Sequence, residues 1–168
     1  QLLEADSCTY TYLIGCEESR QAILIDPVLD TAERDLQVLK DMGLTLMATL
    51  ETHVHADHLT SARRLKQRTG CQIAYPKMLD LPCADIGVEE GQPFKVGSIS
   101  LHPLFTPGHT DHHHAYLLDG LPPAISAAPI TPKGVIQFSM APMRAALSTP
   151  QIRPSHVFGD RPGAILCR

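Results

Sequence analysis

Glu51-Thr52-His53-Val54-His55-Ala56-Asp57-His58 sets three imidazoles and a carboxylate within six residues. Ordinary folding rarely requires such a grouping. Each neutral imidazole can give a divalent ion one nitrogen and Asp57 can give an oxygen, so the stretch reads as a metal site without thiolate, suited to iron, zinc or manganese. Upstream, Leu44 to Leu50 is an apolar, partly β-branched run of strand length, and downstream Ser61 to Lys66 reads as helix. The cluster therefore falls on a loop between strand and helix. His53 and His55, two apart on extended backbone, share one side, while Asp57 and His58 start the next turn and approach from another, so one or two ions fit. A polar loop facing water is the plain alternative, and it suits a lone histidine better than three.

A second cluster, Thr106-Pro107-Gly108-His109-Thr110-Asp111-His112-His113-His114, follows the largely apolar segment Ile99 to Phe105. Seven of the nine histidines lie in these two places, which strengthens the metal reading. Together the motifs resemble the metallo-β-lactamase fold superfamily, whose signature is His-x-His-x-Asp-His followed downstream by Gly-His. The resemblance implies an α/β protein with an αββα sandwich, here incomplete at the C-terminus. Within that superfamily, Glu51 to Ala62, Thr106 to Tyr116 and Leu24-Ile25-Asp26-Pro27 look like the persulfide dioxygenases, relatives of the glyoxalase II hydrolases. The match covers about residues 1 to 120.

A length of 168 residues suggests one domain with a real core, but less chain than a complete sandwich of this type needs. The chain begins with Gln1, so a few initial residues are expected to be absent. A net charge of -4 and a pI near 6.1 give no reason to expect nucleic acid or an anionic membrane surface. Five scattered cysteines without Cys-x-x-Cys spacing argue against a disulfide framework or a thiolate zinc site, and fit reduced thiols in a cytoplasm. No apolar run reaches membrane-spanning length, and no basic, apolar leader opens the chain.

In chain order, Thr9 to Ile14 and Ala22 to Ile25 read as paired strands joined across a polar loop, and Asp26-Pro27 ends the second. Thr31 to Met42 reads as a surface helix closed by Gly43. Strand Leu44 to Leu50, helix Ser61 to Arg68 and strand Gln72 to Pro76 follow, an alternation that indicates layered α/β structure. Phe94 to Val96 and Ser98 to Leu101 form a hairpin around Gly97, and Tyr116 to Leu118 resumes a strand.

After Gly120 the composition breaks, since residues 121 to 168 hold eight of the 14 prolines and a single acid, Asp160. Prolines at this density interrupt helices and ladders, so 1 to 120 is read as the metal-binding part and 121 to 168 as a divergent, poorly ordered tail. The resembled family carries a Phe-Thr-Gly-Asp ligand motif past its Gly-His. Here the only similar string is Val157-Phe158-Gly159-Asp160, displaced and lacking the Thr. Either an insertion postpones the ligand to Asp160 or the tail is translated out of frame. The second reading is favoured, because codons for Phe138 to Thr149 permit, two bases along, Gln-Tyr-Gly-Ala-Asp-Ala-Gly-Gly-Ala-Leu-Tyr, close to what such families carry there. The nucleotide sequence around codon 120 decides between them.

The resemblance implies one ferrous ion per chain on two histidines and a carboxylate, with His53 and His109 the matching histidines and Asp160 the only candidate third ligand in the tail. His55, Asp57 and His58 then act around those ligands, and Asp26 supports the loop from beneath, unless it is a plain turn residue. His112, His113 and His114 line the entrance, or His112 and His114 sit in a solvated turn. The implied reaction oxidises a glutathione-type persulfide to sulfite with oxygen, in a cytoplasmic protein with small-molecule partners only, possible as a homodimer. The alternative is a glyoxalase II-like thioester hydrolase with zinc on His53, His55 and His109 and a second zinc on Asp57 and His58. A third reading is a truncated or frameshifted product that keeps metal affinity alone. Residues 1 to 120 are expected to gather His53, His55, Asp57, His58 and His109 around one point, and residues 121 to 156 to pack poorly, leaving Asp160 off the metal.

Overall fold

The computed structural model describes residues 1–119 and the backbone of 164–167. Strands β1 (Leu2–Glu4), β2 (Thr9–Cys16) and β3 (Gln21–Ile25) each run antiparallel to the next, and then β4 (Thr45–Leu50), β5 (Gln72–Pro76) and β6 (Ile86–Val88) add parallel to β3, giving the order β1-β2-β3-β4-β5-β6. A second sheet is an antiparallel meander of β7 (Phe94–Val96), β8 (Ile99–Phe105) and β9 (His114–Leu118). The residue run Ala164–Cys167, β10, lies parallel to the second half of β2, while β1 occupies the first half.

Burial explains the layering. Parallel strands buried on both faces lose their alternation and read as continuous apolar runs, as Ile23, Leu24 and Ile25 do, all of them fully buried. One side of the large sheet packs Tyr12, Ile14, Ile23, Ile25 and Leu50 against Val96, Ile99, Leu101, Tyr116 and Leu118 of the small sheet. The other side packs Leu13, Leu24 and Leu46 against helix residues Leu39 of α1 (Ala32–Asp41) and Leu65 of α2 (Ala62–Thr69). Among the described residues the molecule is thus helix on sheet on sheet, the α/β arrangement expected, with the helices as the parallel crossovers.

The expected elements stand, with small shifts. β2 runs on through Gly15 and Cys16, where loop was expected, because Gly15 pairs with Ala22 across the hairpin. A 3-10 turn, Leu29–Thr31, precedes α1. Three short strands, β1, β6 and β10, were not foreseen: three or four residues are too few for period to register. β8 accepts Pro103 because β7 stops pairing at Leu101, leaving the missing N–H on the unpaired side. The expectations for residues 121 to 156 and for Asp160 lie outside the described residues.

Candidate metal centre

Where β3 and β4 end side by side, Asp26 donates its N–H to the Leu50 carbonyl at 2.9 Å, and its own carbonyl accepts the Thr11 hydroxyl at 2.9 Å. Asp26 is fully buried with φ of 51°, a left-handed position that Asp and Asn tolerate better than most residues. Its carboxylate accepts the Thr52 N–H at 2.7 Å and the Thr52 hydroxyl at 2.8 Å. Thr52 has one hydroxyl proton, and an ionised carboxylate can only accept, so that proton belongs to Asp26. Thr52 Oγ1, 2.8 Å from His53 Nδ1, must then accept from the ring. His53 is thereby held with Nδ1 protonated and Nε2 carrying the lone pair, the form a metal ligand needs.

The same carboxylate holds His55, whose Nε2 lies 3.1 Å from Asp26 Oδ1 as an ion-pair contact without hydrogen-bond alignment, and 3.8 Å from Glu51 Oε2. His55 Nδ1 faces Asp57 Oδ1 at 3.8 Å, and His58 Nδ1 lies 3.2 Å from that oxygen. Donor atoms of His55, Asp57 and His58 fall within 4.8 Å of one another, as do those of Asp26, Glu51 and His55. Glu51 is buried, takes the Thr60 hydroxyl on one oxygen and leaves Oε2 without a hydrogen bond among the described residues.

The second loop reaches the first from the other sheet. Thr106 donates its N–H to the His113 carbonyl at 2.9 Å, and its hydroxyl lies 2.8 Å from His113 Nδ1. His114 donates its N–H to the Thr52 carbonyl at 2.9 Å, sewing the loops together, and Val54 donates its N–H to His112 Nε2 at 3.1 Å. Gly108, at φ of 149°, makes the bend that presents His109. The His109 ring meets His53 edge to face with centroids 4.8 Å apart, and His53 stands 4.0 Å from His55 and 5.3 Å from His113.

Electrostatics follows from this packing. Burial pushes His53 down to about 3, helped by the neighbouring His55, and His113 down to about 4, so both are neutral lone-pair donors at physiological pH. Burial and His55 also lower His58. For His55 burial acts downward but the Asp26 charge and contact outweigh it, leaving it raised; in Asp26 burial acts upward but His55 and the Thr52 N–H outweigh it, leaving it lowered. Burial and the Asp26 charge hold Glu51 well above the usual carboxylate range.

The structure brings Asp26, His53, His55, Asp57, His58 and His109 together; Asp160 lies outside the described residues. Asp26 is fully buried and bonded to Thr52 at the start of the first loop. His114 is buried rather than in a solvated turn, because β9 starts at that residue and pairs it with Phe105. His112 serves as a backbone acceptor. Glu51, a carboxyl buried at the end of an apolar strand, had no role in the sequence, and His113, expected at the entrance, is buried; the sequence carried no signal for either burial beyond strand phase.

The chain matches the Metallo-beta-lactamase superfamily over residues 9–127, and it belongs to that family. It is 41% identical over 131 residues to the mitochondrial persulfide dioxygenase ETHE1 of Homo sapiens, covering 72% of this chain and 51% of that protein. The crystal structure of ETHE1 from Myxococcus xanthus superposes with a TM-score of 0.67 at 46% identity, over 70% of this chain and 52% of that one. A hydroxyacylglutathione hydrolase of Rhodopseudomonas palustris is 36% identical over 112 residues, 66% of this chain and 43% of that protein. The chain spans about half the length of the curated relatives it matches. No helix among the described residues is long and apolar enough to cross a membrane.

Proposed function

We propose that this chain carries the metal centre of a persulfide dioxygenase, with His53 and His109 as two ligands of one ferrous ion and Asp160 as the candidate third. The observation that carries the reading is the edge-to-face meeting of His53 and His109, 4.8 Å between centroids, with His53 fixed by Thr52 and Asp26 in the lone-pair form. The donor set fits a metal: neutral imidazoles and carboxylates without thiolate, and two buried Nε2 atoms, of His55 and His58, with no hydrogen bond among the described residues. Identity supports the dioxygenase over the hydrolase, 41% against 36%.

When bound, a ferrous ion supplies Lewis acidity and redox reactivity toward oxygen. The chain's own residues hold and orient: Asp26 fixes Thr52 and His55, Thr52 fixes His53, and His114 ties the second loop to the first. The net reaction takes glutathione persulfide, oxygen and water to glutathione and sulfite. The proposal places it in the cytoplasm, supported by the described cysteines, Cys8, Cys16, Cys71 and Cys83, all being free thiols.

The convergence of His55, Asp57 and His58 favours a second reading, a zinc thioester hydrolase with a second ion there. Metal analysis together with two assays separates them. Iron with oxygen uptake and sulfite release from glutathione persulfide supports the dioxygenase. Two zinc ions with cleavage of a glutathione thioester supports the hydrolase. Metal uptake with neither turnover identifies a chain that only binds.

A further inference from the structure

Three hydrogen bonds join the two histidine loops in a closed cycle, and the atoms themselves fix the direction of each. The His114 N–H donates to the Thr52 carbonyl at 2.9 Å, and the Val54 N–H donates to His112 Nε2 at 3.1 Å. Between them, His114 Nδ1 lies 3.0 Å from the His112 carbonyl oxygen, which can only accept, so the ring nitrogen donates. The cycle passes from Thr52 through His114 and His112 to Val54, and the chain from Val54 back to Thr52 runs through His53.

An amide N–H can only donate, so His112 Nε2 carries a lone pair. An imidazolium has no lone pair to offer, so the ring is neutral with its proton on Nδ1. The same residue stands in the turn that carries His109. The Gly108 N–H donates to the Thr110 carbonyl at 3.1 Å, and the His113 N–H reaches that oxygen at 3.5 Å, which folds His109 and His112 into one compact turn. On the other loop, the Val54 nitrogen shares a planar peptide with His53, so holding that N–H orients the backbone between His53 and His55.

We propose that His112 is a positioning residue of the metal centre: as a neutral acceptor on the Val54 N–H, it latches the turn bearing His109 to the backbone between His53 and His55. Its consequence for metal rests on the metal-centre reading given above, whereas the latch itself is independent of which metal or reaction the centre serves. A plain surface contact would also bring a ring nitrogen to an exposed N–H, and Val54 is 46% exposed. The closed cycle argues for the latch, because the His112 carbonyl is held by a buried His114 that is itself bonded to Thr52.

The test is made on the full chain, metal-free and then with zinc as the probe, reading imidazole nitrogen shifts and amide hydrogen exchange by NMR. The unsubstituted protein shows His112 protonated on Nδ1 alone and a Val54 amide protected from exchange. His112→Phe keeps a ring but removes the acceptor; Val54 loses its protection, and zinc binding weakens by about 2- to 10-fold, the worth of one hydrogen bond. His112→Gln, whose side-chain oxygen can accept, recovers part of both. An Nε2–H tautomer in the unsubstituted protein overturns the proposal. So does His112→Phe with Val54 protection or zinc affinity unchanged, or His112→Gln matching His112→Phe in both readouts. If the protein cleaves thioesters instead of oxidising persulfides, the dioxygenase reading fails while the latch stands by itself.

Discussion

The loop from Glu51 to His58 rests on two buried carboxylates, Asp26 and Glu51, whereas the loop from Thr106 to His114 is tied by a threonine hydroxyl and backbone N–H groups. The difference shows in the rings. Asp26 polarises His55 upward and fixes His53 through Thr52, while in His113 burial outweighs the upward pull of the same Asp26 charge, and His109 is exposed at the rim. A loop oriented by buried charge is stiff and costly to unpair; one oriented by hydroxyls can be loosened more gently. The first loop is therefore the more firmly held of the two.

The strongest way to break this comparison is to remove a ring from each loop. His53→Ala should lower retained metal by more than about a hundredfold, beyond the range of outer groups, measured by elemental analysis after dialysis. His109→Ala should do likewise. His102→Ala, an exposed partner of Asp119 at 2.9 Å, should leave metal content unchanged; a comparable loss there would mean the site is misplaced. Next comes Asp26→Asn, which suits the φ of 51° and so removes the charge without adding backbone strain. It should weaken metal binding by about 10- to 100-fold. Equal binding in Asp26→Asn would show that the first loop does not depend on its carboxylate.

The histidine loops and most strands were legible because their signals are dense: seven histidines in two short stretches, and apolar runs such as Ala22 to Ile25 that only a doubly covered strand tolerates. His53 and His55, read as sharing one side, do bring their rings together, 4.0 Å between centroids. What the residues alone left open was the depth of burial. Asp26-Pro27 looks the same as a turn or as a buried anchor until β3 and β4 are seen to end together. Glu51 reads as a loop acid, yet the sheet encloses it, and His114 reads as loop while strand pairing buries it. The hydroxyls of Thr52, Thr106 and Thr9 gave no signal, because nothing in a threonine's own neighbourhood in the sequence marks which one meets an imidazole ring.

Acidification sharpens the comparison from another side. Asp26 has its folded pKa below the usual carboxylate range, so the stability it contributes is complete above about 3.9, the unfolded value, and is lost as pH falls through the lower folded value. Metal-free protein should therefore melt higher than Asp26→Asn at neutral pH, and the gap should shrink as pH drops below the ordinary carboxylate range. A gap constant down to the lowest measurable pH would mean that charge is not what Asp26 contributes.

The smallest effect belongs to the second loop. Thr106→Val removes the hydroxyl 2.8 Å from His113 Nδ1 while keeping the side-chain volume. His113 is buried and neutral, so the loss is one hydrogen bond to a desolvated nitrogen, about 1 kcal/mol and at most about 3 if no water replaces it. Because His114 still ties the loop to Thr52 and Gly108 still sets the bend, His109 keeps its place. Metal affinity should fall by less than about tenfold, below the range of a ligand-orienting group, and Thr106→Ser should recover the lost melting temperature. If Thr106→Val instead costs as much metal as Asp26→Asn, the hydroxyl-tied loop governs the centre equally, and the contrast between the two loops disappears.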